Sequence, residues 1–92
     1  MEEKRMIEID AGKFVSKASI HEAFRSALNE DYYQGHTLDA LADVLTALDV
    51  PTQITVLRID AARELLGPYV DRLTGALADS AARNRRLTVV FR

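Results

Sequence analysis

The stretch TQITVLRI, residues 52–59, decides the fold because it is the clearest strand in the sequence. It is rich in β-branched residues, which favour extended backbone. Two further stretches, RMIEI at residues 5–9 and LTVVF at residues 87–91, are also typical of strands. The second and third strands are almost continuously apolar, which predicts a sheet that is covered on both faces.

The interval between the first two strands predicts two helices. Ser19 followed by Glu22 is a capping-box pattern at the start of the first one. Thr37 is a suitable N-cap for the second, which is expected to run to about Leu48, before Pro51. The apolar stripe of the first helix is expected to consist of Ile20, Phe24 and Leu28.

The interval between the second and third strands predicts two more helices. Asp60 can cap a short helix that runs to about Leu66 and ends at Gly67-Pro68. A longer helix is expected over residues 69–83, followed by Asn84 in the left-handed conformation. Its inward-facing residues are expected to be Val70, Leu73, Leu77 and Ala81.

The predicted element order is therefore β-α-α-β-α-α-β. Each helical connection is long enough to join parallel strands, and right-handed crossovers are expected. We predict an α/β fold in which about four helices pack on a three-stranded parallel sheet. The 92 residues suffice for a single domain, 1–92, with one modest core.

Composition excludes several classes of protein. Without cysteine the chain can form neither a disulfide framework nor a thiolate metal site, and its two histidines are far apart in sequence. We therefore expect no metal and no cofactor. No apolar run approaches the roughly 20 residues of a membrane span, and the opening MEEKRMIEID does not resemble a signal peptide. These features predict a cytoplasmic protein, monomeric when free and without a membrane partner.

Charge is unevenly distributed along the chain, although the net charge is only −2. Residues 21–50 contain six acidic residues and one basic residue, Arg25. Such a region repels the phosphates of nucleic acid and attracts a basic partner. The pattern favours binding to a basic protein over direct binding to nucleic acid.

Two aspartates of the second predicted helix are candidate functional residues. At 100° per residue, Asp39, Asp43 and Thr46 lie on the solvent side of that helix. An enzyme based on the two carboxylates would need a pocket that separates their pKa values, and exposed positions on one helix do not supply it. Display to a partner is the favoured hypothesis. The opposite, apolar face is expected to consist of Leu38, Leu41, Val44, Leu45 and Leu48.

The loop before this helix contains a pair of tyrosines and a glycine. One of Tyr32 and Tyr33 can pack beneath the loop while the other lies on the surface as an interface anchor. Gly35 supplies a backbone shape that a side chain would hinder.

Together these residues resemble the central motif of the barstar family, intracellular inhibitors of a secreted bacterial ribonuclease. The motif here is YY-G-x-x-LDAL-x-D-x-L, formed by Tyr32, Tyr33, Gly35, Leu38, Asp39, Ala40, Leu41, Asp43 and Leu45. The resemblance in element order and length extends along nearly the whole chain.

The resemblance implies a role for several residues. Asp43 would lie deepest in the nuclease active site with Asp39 beside it, and Asp79 on the last helix would also contact the nuclease. Tyr32 would pack on the nuclease, and the backbone of Gly35 would approach it. The partner-binding residues are thus expected to be Tyr32, Gly35, Asp39, Ala42, Asp43, Thr46 and Asp79.

The chain departs from the family pattern at three positions. Gln34 is an extra residue between the tyrosines and the glycine. Ala42 stands where the family often has tryptophan, and Leu48 lies near a second position that is often aromatic. These changes remove contact area, which implies a different nuclease or weaker binding.

Taken with the acidic helix, the resemblance implies a stoichiometric inhibitor of a basic, barnase-like ribonuclease or related toxin. It would block the active site with its acidic helix and the preceding loop, as the immunity protein of a toxin–antitoxin pair, without catalysing a reaction. Two alternatives stay open: an acidic adaptor or regulator with a non-nuclease partner, and an enzyme that uses Asp39 and Asp43.

Overall fold

The structure is a computed structural model that describes residues 4–28 and 37–92. Within these ranges, three strands form a parallel sheet in the order β1-β2-β3. The strands are β1 (Arg5–Asp10), β2 (Thr52–Leu57) and β3 (Leu87–Phe91). The predicted three-stranded parallel sheet is confirmed.

Among the described residues, four α-helices connect the strands, two in each crossover, as predicted. They are α1 (Lys17–Leu28), α2 (Leu38–Thr46), α3 (Ile59–Leu66) and α4 (Pro68–Arg83). A 3-10 turn, Ala11–Lys13, joins β1 to the segment before α1. No helix in the described part of the chain is both long enough and apolar enough to cross a membrane.

In the part of the chain that the structure describes, helices cover only one face of the sheet, which differs from the prediction of a sheet covered on both faces. Ile7 pairs with Ile54, and both side chains are buried. One position earlier, Met6 pairs with Gln53, and Met6 is 64% exposed. In the strand order β1-β2-β3, two crossovers of the same hand step in the same direction and place both helix pairs on the same side.

The core lies between this covered face and the helices. The predicted inward residues of α1 and three of the four predicted for α4 are buried, while Ala81 is only half-buried. Fully buried side chains from the helices and from β2 meet there: Ile20, Phe24, Leu28, Leu41, Leu45, Ile54, Val56, Val70, Leu73 and Leu77.

Helix α1 begins earlier than its capping pattern predicts. The Oγ of Ser16 accepts the N–H of Ser19 at 3.1 Å, and the Oγ of Ser19 accepts the N–H of Ser16 at 3.0 Å. The capping box is thus formed by two serines, and Ser19 lies inside the helix. Glu22 instead forms an ion pair with Arg25 at 3.7 Å.

Two predicted helix ends also differ from the structure. Arg58, not Asp60, precedes α3, and it adopts the left-handed conformation with φ 58°. This conformation lets the Arg58 side chain bind the Asp10 carboxylate, while its N–H donates to the Arg92 carbonyl. Asn84 after α4 is extended, with φ −130°, and its side chain binds the carbonyls of Leu45 and Leu48 at the end of α2. Gly67 ends α3 as predicted.

Candidate protein-binding site

Helix α2 is fixed by a cap at one end and by an apolar face along its length. The Oγ1 of Thr37 accepts the N–H of Ala40 at 3.1 Å, as its predicted N-cap role requires. The helix ends at Thr46, two residues before the predicted Leu48. Its predicted apolar face is confirmed, with Leu38 half-buried and the others buried: Leu41, Val44, Leu45 and Leu48.

The opposite face of α2 displays the predicted acidic residues. Asp39, Asp43 and Thr46 are exposed, and Ala42 beside them is half-buried. Neither carboxylate forms an ion pair with any part of the chain that the structure describes. The Thr46 hydroxyl donates to the Ala42 carbonyl at 2.8 Å, so its oxygen keeps acceptor capacity for a partner.

Asn84 holds the C-terminal end of α2, a role that the sequence analysis missed. Its side-chain amide donates to the carbonyls of Leu45 and Leu48, each at 3.0 Å, and the residue is buried. Its Oδ1 accepts the N–H of Arg86 at 3.0 Å. These three bonds fix α2 to the turn before β3. The sequence offers only one signal of this role, an amide side chain among the arginines that separate α4 from β3, and such a residue is also typical of a left-handed helix end.

An open pocket of about 410 Å³ lies at the N-terminal end of α2. Asp39 contributes to it together with residues of α1 and α4, so its walls come from neighbouring helices as well as from α2. Asp43 is not part of its lining, so the pocket does not bring the two carboxylates together. An enzyme that uses both acids would need a pocket lined by both carboxylates, and this pocket is lined by only one of them. The lining consists of Lys17, Thr37, Leu38, Asp39, Tyr69 and Arg72.

Tyr69 organises one wall of this pocket. The Tyr69 hydroxyl lies 2.6 Å from Nε2 of the buried His21. The Lys17 ammonium lies 4.8 Å from the ring centroid and the Arg72 guanidinium carbon 5.6 Å from it. Partial burial raises the pKa of Tyr69 above its ordinary value of 10.0, although the charge of Arg72 acts in the opposite direction. The phenol is therefore protonated at neutral pH.

Comparison with protein families shows which family has the same sequence pattern as this chain. The family model for Barstar, described as "Barstar (barnase inhibitor)", matches residues 4–92. The chain belongs to the Barstar family. No match was found among curated proteins.

Within the Barstar family pattern, Asp79 differs from the aspartates of α2. It is exposed on α4, the helix that packs beside α2. Its carboxylate forms an ion pair with Arg83 on the same helix, with 3.0 Å between Oδ2 and Nε. By contrast, no described residue forms an ion pair with Asp39 or Asp43.

Two further residues that the resemblance implies, Tyr32 and Gly35, lie outside the described residues, as does the extra Gln34. Across residues 4–28 and 37–92, no group of three or more His, Cys, Asp or Glu side chains is arranged to hold a metal ion.

Proposed function

We propose that this member of the Barstar family is a stoichiometric inhibitor of a basic, barnase-like ribonuclease. The observation that supports the proposal most directly is the pair of exposed carboxylates on α2, Asp39 and Asp43, which have no ion pair with the described residues. An enzyme that binds RNA phosphates needs a cationic active site, and two carboxylates on a fixed helix can take the place of those phosphates.

The free protein bears a cost that binding removes. Like charges four residues apart on a helix repel each other by a few tenths of a kcal/mol. Asp39 lies in the first turn of α2, where the helix dipole stabilises a negative charge, but Asp43 lies one turn further along. Arginine side chains of the partner can bind each carboxylate through two hydrogen bonds and relieve the repulsion. Asp43 therefore gains more from the partner than Asp39.

The remaining contacts would come from the loop before α2, from α2 itself and from α4. Tyr32 and Gly35 would meet the rim of the nuclease site, and Thr46 would extend the contact along α2. Asp79 would contribute once its ion pair with Arg83 is exchanged for one with the partner. Ala42 leaves a smaller contact than an aromatic residue would, which favours a nuclease whose site fits a flatter helix surface. Catalysis forms no part of this function.

The test is titration of purified barnase, the enzyme named in the description of the family, with the purified protein. RNA hydrolysis should fall linearly and reach its minimum at one molecule of protein for each molecule of enzyme. The double substitution Asp39→Ala and Asp43→Ala should abolish this stoichiometric inhibition. The matched control is Glu8→Ala with Glu64→Ala, which removes the same charge from two exposed acids outside the site.

Full inhibition by the Asp39→Ala, Asp43→Ala variant would show that α2 is not the inhibitory surface. The alternative is an adaptor whose acidic face binds a basic protein other than a nuclease. In that case, capture from a native lysate would yield a basic protein without ribonuclease activity, released by the same double substitution. If the inhibitor function is correct, the producing cell would use the protein inside the cytoplasm to protect its own RNA.

A further inference from the structure

Two cations next to Asp39 have no carboxylate partner in the described ranges. Lys17 is the first residue of α1, and Arg72 lies in the second turn of α4. Both side chains are exposed, and neither forms an ion pair with residues 4–28 or 37–92. By contrast, Arg58, Arg63 and Arg83 each bind at least one carboxylate.

The Tyr69 ring holds these two cations in place. Both lie within the range of a cation–π interaction, at 4.8 Å and 5.6 Å from the ring centroid. The ring is itself oriented by the 2.6 Å contact of its hydroxyl with His21, and the two rings meet edge to face at 74°. Lys17 and Arg72 are thus preorganised by an aromatic ring, which leaves their hydrogen-bond donors available to a ligand.

The same pocket carries the opposite charge on another wall. Lys17, Arg72 and Asp39 all line the pocket of about 410 Å³ at the start of α2. The surface that would face a partner is therefore acidic along α2 and basic at its N-terminal end. A purely cationic partner would be attracted to the first part and repelled by the second.

We propose that the partner bound on α2 places a carboxylate between Lys17 and Arg72, beside the cations that bind Asp39 and Asp43. This inference rests on the proposed function and specifies the partner: a basic site with an acidic side chain on its rim. A free anion would be repelled by Asp39. A carboxylate carried by a protein escapes that repulsion, because the cations of the same protein neutralise Asp39 at the same time.

The cation pair then acts as a specificity element. A nuclease with the flanking carboxylate gains two ion pairs, whereas a nuclease with a cation at that position meets like charge. Lys17 lies on α1, whereas Tyr69 and Arg72 lie on α4. The preference for a partner with a flanking carboxylate therefore depends on the packing of these two helices against each other.

The experiment measures the Kd for barnase after the double substitution Lys17→Met and Arg72→Met, which removes both charges and keeps much of both aliphatic stems. Two exposed ion pairs at an interface rim contribute enough that Kd should rise about tenfold. The control is Lys4→Met with Arg92→Met, which removes the same charge outside the pocket and should leave Kd within about twofold. The charge-conserving exchange Lys17→Arg with Arg72→Lys should bind as tightly as the unsubstituted protein.

The outcomes separate this inference from the proposed function. If Asp39→Ala with Asp43→Ala abolishes binding but Lys17→Met with Arg72→Met leaves Kd unchanged or tightens it, the partner carboxylate is absent and only this inference is overturned. It is also overturned if the charge-conserving exchange weakens binding as much as the methionines do, since shape would then matter more than charge. If the unsubstituted chain does not inhibit barnase, or if loss of both aspartates leaves inhibition intact, the proposed function fails as well. Thermal unfolding of each variant establishes that it is folded.

Discussion

The aspartates of α2 and those of α3 and α4 are used in opposite ways. Asp60 and Asp71 both bind Arg63, at 2.7 Å and 2.9 Å, and Asp79 binds Arg83 at 3.0 Å. Asp39 and Asp43 bind no cation in the described part of the chain. The helix itself explains part of this difference, because LDALADVLT contains no basic residue.

The difference shows that α2 does not need its charges to stay in place. Its apolar face is buried, and the side-chain amide of Asn84 binds the carbonyls of Leu45 and Leu48 at its end. Exposed ion pairs such as those of α3 and α4 contribute little to stability, at most about 1 kcal/mol each. The carboxylates of α2 are therefore available to a partner at almost no expense to the fold.

The largest effect is expected for Asp43→Ala on the affinity for barnase. Loss of one member of a buried charge pair leaves the partner's cation unpaired and costs about 2–5 kcal/mol of binding free energy. The barnase–barstar complex is among the systems behind that range, so the value is carried over from the family. Isothermal titration calorimetry of Asp43→Ala and of the control Glu64→Ala checks it. If Asp43→Ala and Glu64→Ala bind barnase with equal affinity, the exposed acids of α2 matter no more for binding than those of α3.

The next largest effect is expected for Asn84→Ala on stability. The substitution leaves the carbonyls of Leu45 and Leu48 and the N–H of Arg86 without their partner. The free energy of unfolding should fall by about 1–3 kcal/mol, measured by urea denaturation. Asn84→Asp is the matched control, since it keeps the acceptor for Arg86 but loses both donors. If Asn84→Ala is as stable as the unsubstituted protein, the end of α2 is held by its apolar face alone.

A paired aspartate should make stability depend on pH. The Arg58 side chain, bonded to the Asp10 carboxylate, lowers the pKa of Asp10 below its ordinary value of 3.8, with help from the Gly12 N–H and against partial desolvation. At pH values above 3.8, the contact between Arg58 and the Asp10 carboxylate stabilises the folded state in full. As the pH falls further, the unfolded chain takes up its proton first, and the contribution is lost as the pH passes through the lowered folded-state pKa.

Substitution of Asp10 by Asn removes this contribution. The unfolding free energies of the unsubstituted protein and of Asp10→Asn should therefore differ at neutral pH and converge as the pH falls below 3.8 and passes through the lowered folded-state pKa of Asp10. Urea unfolding over that range measures the convergence. Glu8→Gln is the matched control, because it removes a carboxylate from the same strand that forms no ion pair in the described ranges. A constant difference for Asp10→Asn would mean that the carboxylate is not held by Arg58 in solution.

The smallest effect is expected for Arg83→Ala, which converts Asp79 into an unpaired acid like those of α2. Affinity for barnase should rise about twofold, because a partner cation no longer competes with Arg83. Arg85→Ala, a neighbouring exposed arginine without an ion pair in the described residues, corrects for the general change in charge. If Arg83→Ala and Arg85→Ala raise the affinity for barnase equally, Asp79 does not contact the nuclease.

Much of the fold follows from local patterns that the sequence displays directly. The spacing of Ile20, Phe24 and Leu28 predicts the buried face of α1, and Gly67-Pro68 predicts the boundary between α3 and α4. Patterns of this kind depend on neighbours within about one helical turn. The cap of α1 departs from the predicted pattern because the Ser19 hydroxyl, three residues after Ser16, takes the place that a Glu or Gln side chain has in a capping box.

Features that depend on distant residues could not be predicted in the same way. The left-handed conformation of Arg58 accompanies its contact with Asp10, 48 residues earlier. Asn84 binds a carbonyl 39 residues away, and nothing in its local sequence indicates that partner. The face of the sheet without helices follows from the strand order β1-β2-β3. The order of elements along the chain does not determine which strands are neighbours in the sheet.

By itself, the sequence determined that α2 has an apolar face and an acidic face, because helical periodicity fixes the direction of each side chain. It also determined that no basic residue lies on α2 to neutralise Asp39 and Asp43. Only the tertiary structure decided which charges gather around those two acids. Lys17, Tyr69 and Arg72 lie far from Asp39 along the chain, and packing of α1, α2 and α4 brings all four to one pocket.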